Sequence, residues 1–210
     1  MQIIAMLTML FDHIGITWFP NDATLRVIGR LALPLYAYAL VIGYQRTRNV
    51  NRYLWRTLLI AAISQIPYSL AFNTLQINTV GTLFICLVLL WGLDKYKGKL
   101  VIQSAFALLA ILFLEVVPSS YGAYLPALVL IYRYASTKWM VALHIVLNFI
   151  FLYYQSWTVQ LFSLFATILL VHLPLFLKAA DRIYVPRIVW RSFYPLHLAL
   201  IVALDYWVIQ

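Results

Sequence analysis

Charged residues are scarce in this chain: Asp, Glu, Lys and Arg make up 10% of its 210 residues, whereas 65% of the residues are hydrophobic. A soluble globular domain carries about a quarter charged residues. This difference excludes an ordinary soluble domain and indicates membrane-spanning segments. The 15 basic residues outnumber the 6 acidic ones, but they are scattered among loops. They form no basic patch, so we do not expect nucleic acid as a partner.

Motifs that define several soluble functions are also absent. The single cysteine, Cys86, lies in an apolar run, so no internal disulfide is possible. No Cys-x-x-Cys or His-x-x-x-His pattern supports a structural zinc or haem site. No P-loop or GxGxxG pattern supports ATP hydrolysis or nicotinamide chemistry. Glycine is limited to 7 residues without a GxxxG motif, so we expect helix packing to rely mainly on Ala, Ser and larger side chains.

Continuous apolar runs of helix length fill the chain, without the period-2 alternation of a β-barrel. At about 17–25 residues per span, they predict an all-α, polytopic transmembrane helical bundle of about nine helices that forms one domain over residues 1–210. The predicted helices cover residues 2–18, 26–44, 54–72, 80–94, 99–117, 121–133, 138–155, 158–177 and 192–209. We do not expect the first to be a cleavable signal peptide, because it lacks a basic start and its apolar run contains Asp12 and His13.

Basic residues occur beside alternate loops, those after the second, fourth, sixth and eighth predicted helices. This alternation places the N-terminus in the cytoplasm and the C-terminus outside, and predicts a multi-pass protein of the inner or plasma membrane. The same side chains would attract anionic lipid head groups or a polyanionic cytosolic ligand. The basic residues in these four regions are Arg46, Arg48, Arg52, Arg56, Lys95, Lys97, Lys99, Arg133, Lys138, Lys178, Arg182, Arg187 and Arg191.

Arg26 and Arg30 break this charge rule, and they lie near Asp12 and His13. His13 precedes the predicted end of the first helix by five residues, and Arg30 follows the start of the second by four. At 1.5 Å per residue, both lie about 6–8 Å below the outer surface. Because Asp12 and His13 point about 100° apart on a helix, we expect Asp12 to pair with Arg30 or Arg26 and His13 to stay free to face a cavity. Ionisable side chains inside a membrane span indicate a functional site, unless their role is limited to a structural ion pair.

A second polar layer is predicted nearer the cytoplasm, at His144, His172 and His197. For His144 and His172, a histidine satisfied within the bundle is the simpler interpretation. His197 follows Arg191 and Tyr194 and could line the mouth of a cavity, or simply lie near a helix start with Pro195 in its first turn. Polar groups are also predicted in the outer half, at Ser64, Gln65, Asn78 and Thr82.

Two stretches resemble the TraX family. These are Ile3-Ile4-Ala5-Met6-x-Thr8-Met9-x-x-Asp12-His13-Ile14-Gly15 and Arg26-x-Ile28-Gly29-Arg30-x-Ala32-x-Pro34-x-Tyr36-Ala37. Further matches are Ser64-Gln65-Ile66-Pro67-Tyr68, Asn78 with Thr82-Leu83, and Tyr194-Pro195-Leu196-His197. They span most of the chain in the expected order. The resemblance is weaker over the fifth to eighth helices and gives no support to His144 or His172.

TraX proteins are named for the conjugal pilin acetylase and are similar to membrane acyltransferases that use cytosolic acyl-CoA. The resemblance implies that acetyl-CoA is the co-substrate and that an acceptor amine or hydroxyl, on a pilin N-terminus or a cell-surface glycan, is acetylated at the outer face. His13 would act as general base, Arg30 would stabilise the oxyanion, and Asp12 would hold Arg30 or Arg26. An acetyl-histidine intermediate is an alternative. The residues implied in binding acyl-CoA are Arg26, Ser64, Gln65, Asn78, Thr82, Arg191, Tyr194 and His197.

Two non-enzymatic alternatives use the same residues. A transporter or lipid-handling protein would employ Asp12, His13 and Arg30 as a proton or anion relay. An assembly factor would need them only to hold the first two helices together. Binding of acetyl-CoA distinguishes the enzyme, and pH-driven uptake into vesicles distinguishes the transporter.

Overall fold

The computed structural model describes residues 1–180 and 184–209. These residues are helical almost throughout and contain no strand, and one isolated bridge pairs Ile77 with Ser119. The predicted all-α class is confirmed. Arg182, one of the basic residues used to predict the orientation, lies outside the described residues.

Most helix boundaries lie close to those predicted from the apolar runs. The helices are α1 (Gln2–Trp18), α2 (Ala23–Gly29), α3 (Ala32–Arg46), α4 (Val50–Phe72), α5 (Thr79–Lys95), α6 (Leu100–Val116), α7 (Tyr124–Tyr134), α8 (Thr137–Gln155), α9 (Leu164–His172), α10 (Pro174–Ala180) and α11 (Arg187–Ile209). A 3₁₀ helix, Thr158–Ser163, lies between α8 and α9. Two predicted helices, 26–44 and 158–177, are therefore interrupted.

The first interruption follows from Pro34. A proline cannot donate to the carbonyl four residues earlier, and its ring clashes with that carbonyl. For Pro34 this carbonyl belongs to Arg30, and α2 ends at Gly29, directly before it. Pro34 itself lies in the first turn of α3, where its missing N–H is tolerated. The break thus falls at one of the two arginines of the predicted site.

Three helical segments of the described chain are long and apolar enough to cross a membrane. They are Ala23–Arg46, which includes α2 and α3, Thr137–Gln155 and Arg187–Trp207. Shorter apolar helices occupy Gln2–Trp18, Leu100–Val116 and Thr158–His172. The inside–outside orientation stays a prediction.

The outer surface of α6 shows why such a chain favours a membrane. Leu114 of this helix is buried, whereas the side chains of Val101, Leu109 and Val116 are 83%, 66% and 79% exposed. Soluble monomers rarely expose apolar surface this continuously. Lipid tails are themselves apolar, so these side chains would be in a favourable environment inside a membrane.

The chain divides into two compact units. The first contains Met1–Ala39 and Leu130–Phe193, and the second Leu40–Val129 and Tyr194–Gln210. In the first unit, α1 packs against α2 and α10, α8 packs against α9, and the 3₁₀ helix contacts α2, α8 and α9. In the second unit, α5 packs against α4 and α6.

Candidate functional site

Two glycines allow α1 and α2 to approach closely within the first unit. A Cβ atom on Gly29 would overlap the Cβ of Asp12 and lie 2.7 Å from its Cα, while one on Gly15 would lie 2.9 Å from the Cβ of Leu25. Neither position has room for a side chain unless the helices separate. The expectation that packing would rely mainly on Ala, Ser and larger residues is therefore wrong for this helix pair. The close contact brings Asp12 against α2.

Asp12 forms a buried ion pair with Arg30. Arg30 Nη2 donates to Asp12 Oδ1 at 2.5 Å and to Oδ2 at 2.6 Å. Asp12 is 6% exposed and Arg30 is 9% exposed. Arg26 Nε lies 3.1 Å from Asp12 Oδ1, although its N–H forms no directed hydrogen bond. The predicted pairing is confirmed, and it includes both arginines.

Gln160 is a member of this site that the sequence reasoning missed. Arg30 Nη1 donates to Gln160 Oε1 at 3.3 Å, and the glutamine is 3% exposed. The 3₁₀ helix places it there, because that helix packs against α2. Its one sequence signal is a polar side chain within the apolar run 158–177.

His13 follows Asp12 on α1 and is 7% exposed. The structure gives it an interaction of its own, so the expectation that it stays free is wrong. Its assignment as general base stays a prediction. The pair of helices α1 and α2 therefore supplies three buried groups that could take part in a reaction. They are the carboxylate of Asp12, the imidazole of His13 and the guanidinium of Arg30.

His144 lies in a separate buried network of the same unit. Its Nδ1 is 2.6 Å from Thr167 Oγ1, and its Nε2 is 3.2 Å from Ser163 Oγ. Tyr132 contacts the same threonine at 2.5 Å, and Asn148 Nδ2 donates to Ser163 at 3.3 Å. The interpretation of His144 as a histidine satisfied within the bundle is confirmed. His172, by contrast, is exposed at the end of α9.

The predicted outer polar residues of the second unit form local hydrogen bonds. Asn78 Nδ2 donates to Ala61 O and to Gln65 Oε1, both at 2.8 Å. Ser64 donates to a carbonyl of its own helix at 2.6 Å, and Thr82 does so to Asn78 O at 3.4 Å. The Asn78 amide thus joins α5 to α4, and its Oδ1 caps α5 by accepting from Gly81 N–H at 3.0 Å. Binding of acyl-CoA by these residues stays a prediction.

The remaining predicted binding residues lie along α11. Tyr194 and His197 are buried, with ring centroids 5.6 Å apart, whereas Arg191 is exposed. Because α11 begins at Arg187, Pro195 lies inside the helix. The alternative that placed Pro195 in the first turn of this helix is therefore wrong.

No group of three His, Cys, Asp or Glu residues within 1–180 and 184–209 is arranged to hold a metal ion. What the site offers is a rigid positive charge, a carboxylate and an amide below the protein surface. Such an arrangement can bind or stabilise a negatively charged oxygen.

The helical fold and its three apolar segments of membrane-spanning length are those of a helical membrane protein. The family model described as TraX protein matches residues 1–205, so the chain belongs to the TraX family, and the resemblance noted in the sequence is confirmed.

Part of the chain is also similar to a fimbrial protein. Over 116 residues the chain is 30% identical to the "Probable fimbrial assembly protein FimC, serogroup H1" of Dichelobacter nodosus, covering 53% of this chain and 44% of that protein. The matched region is thus less than half the length of the relative. No solved structure matches the chain.

Proposed function

We propose that the protein is a membrane-embedded acetyltransferase that moves an acetyl group from cytosolic acetyl-CoA to an amine or hydroxyl at the outer face of the membrane. The observation that carries the proposal is the buried bidentate Arg30–Asp12 pair, which directly adjoins His13 in the chain. Family membership supports the same reaction, since TraX resemblance implies acetyl transfer. The name of the fimbrial relative favours a pilin-type N-terminal amine as acceptor.

The reaction needs a base and a positive charge. The acceptor nitrogen or oxygen attacks the thioester carbonyl carbon, and His13 takes the proton that the acceptor loses. The carbonyl oxygen becomes negative and is stabilised by Arg30. When the C–S bond breaks, the coenzyme A thiolate leaves and receives the proton from His13. The products are the acetylated acceptor and free coenzyme A.

Asp12 has a positioning role in this scheme. Both its carboxylate oxygens accept from Arg30 Nη2, and Gln160 Oε1 accepts from Nη1. A guanidinium held on two sides cannot rotate away when charge develops on the substrate. This preorganisation lowers the barrier because no reorganisation is needed during the reaction.

The acyl donor is a polyanion, so its binding should depend on basic residues of the loops predicted to be cytoplasmic. Lys138, Arg187 and Arg191, which belong to the same unit as Arg30, are exposed and suit phosphate binding by charge. We expect binding of acetyl-CoA to weaken as salt is added, because exposed charges are screened within about 10 Å at 0.1 M salt.

The test measures coenzyme A release by the purified protein in detergent, with acetyl-CoA and a synthetic peptide that has a free N-terminal amine. His13→Ala should lower turnover by about 10²–10⁴-fold. Arg30→Lys should lower it as well, because lysine keeps the charge but has no second nitrogen with which to contact Gln160 while it holds Asp12. The exposed histidine provides the matched control, and His172→Ala should retain wild-type turnover.

Three outcomes would overturn the proposal. They are a wild-type protein that does not bind acetyl-CoA, unchanged turnover in both His13→Ala and Arg30→Lys, and pH-driven solute uptake into vesicles without acetyl transfer. The last outcome would identify the transporter alternative.

A further inference from the structure

Gln160 presents its side-chain amide in a fixed orientation. Its Oε1 accepts from Arg30 Nη1. A guanidinium offers donors and no acceptor. A flipped amide would therefore place its N–H groups against those of Arg30. The orientation of the Nε2 amino group follows from this contact.

The amino group itself lacks a protein partner. Gln160 Nε2 is buried and has no hydrogen-bond acceptor in the described part of the chain, and the residue is 3% exposed. A buried donor without a partner is costly, because it has lost its hydrogen bonds to water and gained none in exchange. Such groups are rare in folded proteins and call for an explanation such as a bound oxygen.

The 3₁₀ helix that carries Gln160 is itself held to α8 by a neighbouring residue, Ser163. Residues three apart on a 3₁₀ helix lie on the same face, so Gln160 and Ser163 share one face. Ser163 is fully buried and contacts His144 Nε2 and Asn148 Nδ2. This attachment to α8 fixes the turn from which the amide extends toward Arg30.

We propose that Gln160 Nε2 donates a hydrogen bond to the thioester carbonyl oxygen of the acyl donor, and to the oxyanion that forms from it. The inference rests on the proposed acetyl transfer and adds a second donor beside Arg30. A neutral N–H donor and a guanidinium together match an oxygen that changes from a carbonyl to an oxyanion. The ligand class is therefore a carbonyl compound, namely a thioester.

Two variants separate the N–H donor from the rest of the side chain. Gln160→Glu keeps the length and an acceptor toward Arg30, removes the N–H groups and adds a negative charge beside the guanidinium. Gln160→Met keeps the length and removes both polar functions. The matched control is Gln155→Met, at an exposed glutamine near the end of α8.

The first readout is kcat with acetyl-CoA. Loss of one oxyanion donor typically lowers kcat by about 10²–10³-fold, and we expect losses of this size in both Gln160 variants. The control should stay within about twofold of wild type, because exposed substitutions away from such features have small effects.

The second readout is binding, which does not depend on turnover. S-acetonyl-CoA carries a carbonyl where S-propyl-CoA, of the same chain length, carries a methylene. Wild type should bind the carbonyl compound about tenfold more tightly, which is the expected size of one hydrogen bond of about 1.4 kcal/mol. This preference should disappear in Gln160→Glu and Gln160→Met, with S-propyl-CoA affinity unchanged.

The outcomes distinguish the two proposals. If wild type transfers acetyl groups and Gln160→Glu retains kcat and the carbonyl preference, the Gln160 assignment is wrong and the proposed function stands. If wild type neither binds acetyl-CoA nor releases coenzyme A, both are wrong. If Gln160→Met fails to fold, the neutral variant Gln160→Leu takes its place, because Gln160→Glu adds a charge as well as removing the donor. Equal affinity of wild type for the two analogues would also overturn the assignment, since it would mean that only water occupies the position.

Discussion

Arg30 Nη2 contacts both carboxylate oxygens of Asp12, at 2.5 Å and 2.6 Å, across the closest approach of α1 and α2. Gly29, the residue before Arg30, is what permits that approach. The charge pair and the helix contact therefore depend on each other. A substitution that breaks the Asp12–Arg30 pair should therefore loosen the packing of α1 on α2, and a larger residue at Gly29 should weaken the ion pair.

Neutralising Asp12 should strongly destabilise the fold. Asp12→Asn leaves the buried Arg30 without its carboxylate, and breaking a buried ion pair from one side costs about 3–5 kcal/mol. The measurement is reversible unfolding in mixed micelles titrated with denaturing detergent. Asp94→Asn, at an exposed carboxylate, serves as control and should change stability by less than about 1 kcal/mol, because interactions of exposed charges are weak. If Asp12→Asn were as stable as wild type, the Asp12–Arg30 ion pair would not be what holds α1 against α2.

Adding a methyl group at Gly29 should separate α1 from α2. The Cβ of Gly29→Ala would meet the backbone and Cβ of Asp12, which cannot move as a flexible side chain can. Overpacking of this kind costs about 1–3 kcal/mol. Gly43→Ala is the matched control, since its Cβ would meet the hydroxyl end of Tyr53 at 2.8 Å. Equal unfolding free energies for the two variants would contradict the structure.

The ion pair could be predicted from the sequence, because Asp12 and Arg30 flank a short turn and helix geometry fixes their depth. The break of the second helix was equally accessible, since Pro34 lies four residues after Arg30. Gln160 could not be predicted: its contact with Arg30 spans 130 residues, and periodicity along one helix does not specify which distant segment packs there. The roles of Gly15 and Gly29 were missed because the close approach joins two helices, without a GxxxG pattern on either.

Thr167 is the shared partner of Tyr132 and His144, so its removal should leave two buried polar groups without that contact. Thr167→Val keeps the shape and removes the hydroxyl. We expect a loss of about 1–3 kcal/mol, measured by unfolding in detergent. Thr57→Val is the control, because Thr57 donates only to a carbonyl of its own helix at 3.0 Å. A larger loss in Thr57→Val than in Thr167→Val would argue against the network.

The cap of α2 should respond to acid. The side-chain hydrogen bond with Thr24, followed by the backbone one, holds the pKa of the Asp22 carboxyl below its ordinary value of 3.8. Since the folded pKa is lowered, the stabilisation is present above the unfolded pKa and is lost as pH falls through the folded value. Asp22→Asn can still accept the bond but does not titrate there. Wild-type Tm should therefore fall more than the variant Tm between about pH 6 and pH 3. Parallel Tm curves for the two proteins would contradict this.

The separation of contacts along the chain has a consequence for biosynthesis. Asp12 and Arg30 are 18 residues apart, whereas Gln160 is 130 residues beyond Arg30. Chains fold from the N-terminus as the ribosome releases them, and short loops close with less entropy loss than long ones. We therefore expect the aspartate to neutralise the arginine soon after α1 and α2 emerge, and the amide of Gln160 to join them only after the later part of the chain has been made.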